Sequence, residues 1–340
     1  MKRLAVLLLV CPILQDPKET GTSLKGTPFT VVDAKVTPLA IDGRNVVVPI
    51  ALDGNALLVV ESGVLRRVAV PALKEDRQLP LTGTPWGMAM SKAGLAVGIG
   101  QELVLIDPAT LAVRKRIEAK GMTKLAASPA SMVLFATDGS DELRAVDGDK
   151  GAMKSFSARA IMKDANTARV KKNATGAPLG FWQAISLAPD GRTLFVMSFG
   201  TPHRFSVTGT DLKYEEIGPK LDGVLDVSDP TYIAVCCARP AKDTGITLQQ
   251  GTLIYHGDFQ KPVLVLHAAP SSYGRCAAFD PTRGLILVGG GTGLVTYDAT
   301  GLRGKEYPFG EQEDVVQVLL TPAGAVVRTQ KRILWMELPR

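Results

Sequence analysis

Histidine is nearly missing from this chain of 340 residues: there are three, His203, His256 and His267. None stands at ligand spacing from another histidine or from a cysteine, so no metal site is expected. The G-x-S-x-G elbow, the P-loop and the dinucleotide fingerprint are absent as well, and with them the usual signs of a cofactor. Gly289–Gly291 with Gly293 reads as a strand-to-strand turn, because no helix follows to hold a phosphate. The four cysteines do not make a disulfide framework, and a chain this long can build its core without one. Charge is nearly balanced, 39 Lys and Arg against 33 Asp and Glu, for a net charge of +6, and no run of one sign exceeds a few residues. Nucleic acid is therefore not an expected partner. Nor does any apolar stretch reach the roughly 20 residues of a bilayer-spanning helix.

What the chain has instead is a phrase repeated with drift. An apolar strand ends in a Pro or Gly turn, a second strand follows, and a third ends in an acidic turn. Copies read WGMAMSKAGLAVGIGQELVLIDPATLAV from Trp86 and MTKLAASPASMVLFATDGSDELRAVDGDKGAMKSF from Met122. Others are FWQAISLAPDGRTLFVMSFGTPHRFSVTGTDL from Phe181, GRCAAFDPTRGLILVGGGTGLVTYDATGL from Gly274 and VVQVLLTPAGAVVRTQKRILWMELP from Val315. Pro129, Pro189, Pro230, Pro281 and Pro322 fill one slot of the phrase, and Lys92 fills it in the first copy. Proline cannot continue a strand ladder and presets φ for a turn, so its recurrence marks a hairpin. A second turn recurs at Asp107, Asp147 and Asp298, with Glu337 in the last copy. There the carboxylate caps its own turn. Repetition at about 40 residues, built of short strands, points to a radial array of small antiparallel sheets.

The units number seven. The first covers Val36–Val70, with strands at Val36–Ile41, Asn45–Ile50, Ala56–Glu61 and Val64–Val70. Five more open near Trp86, Met122, Phe181, Leu221 and Tyr273. The seventh opens near Val315 and has three strands, and Pro28–Lys35 is the orphan strand that supplies its fourth. That pairing would remove an exposed sheet edge. On these repeats the chain resembles a seven-bladed β-propeller of the WD40-like or YVTN-like superfamily, over Pro28 to Arg340. Its nearest echoes of a family string are LVTYD at Leu294–Asp298 and LVLID at Leu103–Asp107. The resemblance implies an all-β fold of four-stranded antiparallel blades with the ring closed by the N-terminal strand. Helix is expected only as a turn near Ser157–Ala168.

The N-terminus reads separately. Met1-Lys2-Arg3 is a basic start, Leu4–Leu14 is apolar, and a polar stretch follows, which is the pattern of a cleaved secretory signal. Residues 1–21 are expected to be that signal and 22–340 one propeller domain, monomeric and either secreted or periplasmic. Cys11 lacks the small residues that precede a lipoprotein cysteine. Cys236 and Cys237 fall in one strand, where alternation would point them to opposite faces. One of them could then reach Cys276; the simpler reading is buried free thiols.

Function is sought on a face. In propellers that this chain resembles, the loops between blades and those joining second to third strands share one side. The insertions Ala158–Leu179 and Ala238–Gly251, and Pro71–Pro85 as well, fall in those classes. At the starts of inner strands on that side stand Trp86, Phe181, Trp182 and Tyr273, with Gln183 and Arg275 just inside. Lys171 and Lys172 belong to the basic group on the first insertion. Aromatics with arginine resemble a recognition surface, although the same rings could simply pack between blades. The channel-side positions Trp86, Thr123, Gln183, Val224, Arg275 and Val316 hold one charge and no base. A non-catalytic scaffold that binds a protein, peptide or glycan is therefore expected. The alternative is a propeller enzyme of the lactonase or quinoprotein kind.

Overall fold

Short, strongly β-prone segments closed by Gly, Pro and Asp turns fold, among the described residues, as twenty-eight strands in seven sheets of four. The structure is a computed structural model. It describes residues 36–38, 50–61, 63–72, 74–139, 142–157, 160, 182–198, 200–219, 221, 224–227, 232–238, 251–256, 259, 261–267, 276–280, 282–291, 293–309 and 313–338. Every described sheet is antiparallel, and six of the seven are meanders of consecutive strands.

The first blade holds β2 (Ala51–Asp53), β3 (Ala56–Glu61), β4 (Val64–Ala69) and β5 (Lys74–Pro80). The second holds β6 (Pro85–Ser91), β7 (Gly94–Ile99), β8 (Glu102–Ile106) and β9 (Val113–Glu118). The third is β10 (Lys124–Ala126), β11 (Val133–Thr137), β12 (Glu142–Asp147) and β13 (Met153–Ser157). The fourth is β14 (Trp182–Leu187), β15 (Thr193–Ser198), β16 (Thr201–Thr208) and β17 (Asp211–Ile217). The fifth is β18 (Val224–Asp226), β19 (Tyr232–Ala238), β20 (Gly251–His256) and β21 (Leu264–His267). The sixth is β22 (Cys276–Asp280), β23 (Leu285–Gly289), β24 (Gly293–Asp298) and β25 (Arg303–Pro308). The seventh joins β26 (Val315–Thr321), β27 (Gly324–Thr329) and β28 (Ile333–Glu337) to β1 (Val36–Pro38) from the other end of the chain.

The first strand of each blade touches that of the next in series, β2 to β6, β10, β14, β18, β22 and β26, which places these strands innermost. The apolar residues divide into seven clusters, one in each gap between neighbouring blades. Leu58, Val60 and Leu65 meet Leu95 and Val97 across blades one and two. Ile50, Leu57 and Val59 meet Val326, Ile333 and Trp335 across blades one and seven, so the last gap is packed like the others. At that gap the Gln317 side chain accepts a hydrogen bond from Ile50 N and donates one to Ile50 O, both at 3.0 Å. The molecule is a seven-bladed β-propeller.

Closure differs from the sequence expectation in one respect. The strand that completes the seventh blade is Val36–Pro38, paired as Val36↔Met336, Thr37↔Trp335 and Pro38↔Leu334. That segment had been assigned to the first blade, and Pro28–Lys35 lies outside the described residues. The first blade shifts accordingly: it takes Lys74–Pro80 as its outer strand, so Pro71–Pro85 is not a long loop. The sequence KEDRQLP hides this, because an outer strand has little to bury and so shows no apolar alternation. It is tied down by pairing with β4 and by ion pairs from Arg66 to Glu75 (2.5 Å) and from Arg67 to Asp76. Of the expected helical stretch, Ala160 is helical, and its N–H donates to Ser157 Oγ at 3.2 Å in the manner of an N-cap.

Candidate functional site

An inner strand of a four-stranded meander starts at one end of the ring, and the second-to-third connection returns to that same end. The connections 158–181 and 239–250 therefore leave from one face, together with 268–275 and 39–50. On the opposite face the longest connection is 257–263, and most are tight turns.

Those turns are structural. Asp107 Oδ1 accepts from the amides of Ala109 and Thr110 at 3.0 and 2.9 Å, and Asp147 Oδ1 from Asp149 and Lys150 at 2.9 and 3.0 Å. Asp298 Oδ1 accepts from Thr300 and Leu302 at 2.8 and 2.9 Å. The Thr110 amide, followed by the Arg114 guanidinium, holds the Asp107 carboxyl down to about 2. The recurring acids thus cap turns on the face away from the long connections.

On the loop-rich face, three inner strands carry the same irregularity. In β6 the register passes from Pro85↔Ile99 to Gly87↔Gly98, leaving Trp86 as the extra residue. In β14 it passes from Trp182↔Ser198 to Ala184↔Met197, leaving Gln183. In β26 it passes from Val315↔Thr329 to Gln317↔Arg328, leaving Val316. A bulge bends its strand and re-aims the residue it inserts, and bulges concentrate beside binding sites. All three stand at the mouth of the channel. Nothing in the local sequence announces them, because a one-residue slip near a strand end leaves the apolar pattern almost intact.

Trp86 is the site residue whose side chain is described. It is half-buried and joins the cluster between blades two and three, with its indole laid on Gly98. A Cβ on Gly98 would come within 2.5 Å of three ring atoms, so glycine is required there. The indole N–H is buried and has no acceptor. Trp182 and Gln183 are the first two positions of β14. Phe181, Tyr273, Arg275, Lys171 and Lys172 lie outside the described residues.

The neighbouring inner strand brings Thr123, already marked as channel-side, and next to it Lys124, which the sequence reading passed over. Thr123 is exposed, and its amide donates to Thr137 O at 2.8 Å. Lys124 follows it, half-buried, and burial lowers its pKa. The signal was a cation opening the otherwise apolar KLAA of an inner strand. Further round the rim, Glu313 is almost fully buried and fastens two connections of this face. Arg332 Nε donates to its Oε1 at 2.7 Å, Arg332 Nη2 to Phe309 O at 3.0 Å, and Thr329 Oγ1 to Oε1 at 2.8 Å.

Other residues singled out by sequence are structural. Gly289 and Gly293 serve close packing: a Cβ would meet Val315 at 2.4 Å or Tyr307 O at 2.2 Å. Cys236 packs between blades five and six and Cys276 between blades six and seven, both buried. Along β19, Ile233 and Val235 pack toward blade four while Ala234 and Cys236 pack toward blade six, so the expected alternation holds as far as Cys236; the side chain of Cys237 is not among those described. Buried His203 meets Tyr214 Oη through Nδ1 at 3.3 Å, and desolvation lowers its pKa to about 4. Among the described residues no group of three or more His, Cys, Asp or Glu could hold a metal ion, and no helix is long and apolar enough to cross a membrane. No family model and no curated protein matches this chain.

Proposed function

We propose that this propeller is a non-catalytic binding scaffold that takes a protein, peptide or glycan on its loop-rich face. The observation that carries the reading is that the connections 158–181 and 239–250 leave from the same face as the three bulged inner strands. Long loops on a rigid frame are where recognition commonly resides. The described residues near the mouth are the Trp86 indole, the Thr123 hydroxyl, the Lys124 ammonium and the Asp138 carboxylate. The same reading includes export by a leader cleaved between Leu14 and Thr22, for which N-terminal sequencing of the mature protein is the check.

Cross-linking in extracts of the native host tests the face. Cross-links should fall within 158–181, 239–250 and the mouth. Links confined to the tight turns of the other face would overturn the reading. With a partner in hand, Trp182→Ala and Arg275→Ala should each weaken binding roughly thirtyfold while the ring stays folded.

A further inference from the structure

We infer that the joint between blades three and four is an acid-sensitive hinge, which parts at its loop-rich end when buried His203 takes up a proton. The inference concerns the ring itself and stands whatever the loop-rich face binds. His203 is the third residue of β16, a strand that starts at that face, and it is 2% exposed. Alternation along the strand fixes its direction. Phe205 and Val207 belong to the cluster between blades three and four, and so does Tyr214, whose ring centroid stands 6.0 Å from that of His203. His203 therefore lies in that gap, opposite Val196 of β15.

A neutral imidazole can be buried with one hydrogen bond, here between Nδ1 and Tyr214 Oη at 3.3 Å, whereas a buried imidazolium needs a counter-charge. The gap supplies none. Blade three sends apolar side chains into it from β10 to β13, Ala126, Phe135, Leu143 and Phe156 among them. Lys124 shares its side of β10 with Ala126, and Asp138 follows β11 at the rim, so the charges brought there are opposite and cancel. On blade four, β14 and β15 contribute Leu187 and Val196, and β17 contributes Tyr214. Arg204 and Ser206 alternate away from the gap and engage Glu215 on the other side of the sheet. The joint is also built to part at one end. Ser128 Oγ donates to Pro189 O at 2.5 Å, a Cβ on Gly191 would lie 2.7 Å from Ser131 Cβ, and Lys154 pairs with Asp211, each at the tight-turn end. At the loop-rich end the chain crosses this joint through 158–181, against 81–84 and 119–123 at the two joints before it. A tether of that length lets the blades separate without pulling on their strands.

Opening hydrates the imidazole and returns its pKa from about 4 toward 6.5, so the open form binds the proton first. The closed joint is thus fully stable above pH 6.5 and weakens as the pH falls toward 4. Hydrogen–deuterium exchange of the full chain, corrected for the intrinsic pH dependence of amide exchange, tests this between pH 7.5 and 5. Protection should fall roughly thirtyfold in peptides from β13, β14 and β16, the ratio set by that change in proton affinity, while β3, β23 and β27 keep theirs. His203→Gln keeps a polar side chain that cannot charge, and it should abolish the change. Circular dichroism and thermal melting show whether that variant folds; if it does not, the map of the unaltered protein decides alone. Corrected exchange that stays constant with pH, a loss shared equally by all seven blades, or the same local loss in folded His203→Gln would overturn the inference.

Discussion

At the scale of single residues, the repeat shows which positions obey geometry and which obey packing. The turn after the third strand ends in a left-handed residue, which is Gly151 in blade three (φ 75°) and Gly301 in blade six (φ 85°). Blade two puts Leu111 there at φ 59°, with its amide donating to Asp107 O at 2.8 Å. Left-handed backbone costs a leucine roughly 1–2 kcal/mol. Here the side chain is buried in the cluster between blades one and two, which offsets that cost. The consequence is an inverted ranking: Leu111→Gly should destabilise less than Leu111→Ala, by about 1 kcal/mol, because alanine keeps the strain while losing the packing. Urea unfolding of both variants decides it, and alanine proving the milder change would refute the strain argument. Buried His203 gives a pH dependence. Its folded pKa of about 4 lies below the unfolded value near 6.5, so the unfolded chain binds the proton first. Stability should therefore hold above pH 6.5 and fall as the pH drops toward 4, by on the order of 3 kcal/mol in all. Asp107 acts in a lower window, because its depressed pKa contributes stability present above pH 4 and lost toward pH 2. His203→Gln should flatten the upper part of the curve alone, and an unchanged slope between pH 6.5 and 4.5 would show that His203 is not its source.

At the scale of elements, legibility followed burial. Inner and middle strands could be read from the sequence because they are apolar over their whole length and end at marked turns. ELVLID and GLVTYD became β8 and β24 with their acids capping the next turn. Outer strands were harder. Lys74–Pro80 is exposed along nearly all its length, and a strand that buries so little leaves no periodic signature. The candidate site was legible only as positions: Trp86, Gln183 and Val316 were marked as facing the channel, but the bulges that insert them were not, since register is a property of pairing and not of one strand. Lys124 was missed because a lone cation in an apolar strand reads as its solvated end. The fit of the bulge in β6 can be tested through Gly98. Replacing it with alanine drives a methyl into the Trp86 indole and should cost roughly 1–3 kcal/mol, the range for an overpacked core. Combining it with Trp86→Ala should recover part of that loss, because the clash is removed. Additive losses in a double-mutant cycle would mean that the two residues do not meet.

At the scale of the whole molecule, the ring depends on a join between the two ends of the chain. Six blades are continuous in sequence; the seventh takes its outer strand from Val36–Pro38. The neighbouring gap is reinforced where the Gln317 amide grips both the N–H and the carbonyl of Ile50. Without β1, the edge of β28 would offer Ile333–Glu337 as an unpaired, mostly apolar strand, and such an edge recruits other chains. Removing residues 1–38 should lower the melting temperature and produce concentration-dependent association, since Val36–Pro38 pairs with Leu334–Met336. Light scattering coupled to gel filtration reads the outcome. A truncated protein that stays monomeric and melts as the full chain does would show that closure does not reside in this pairing. Gln317→Ala gives a milder check at the same join. It leaves the Ile50 N–H and C=O unpaired at a packed gap, and should cost about 1–3 kcal/mol without changing the oligomeric state.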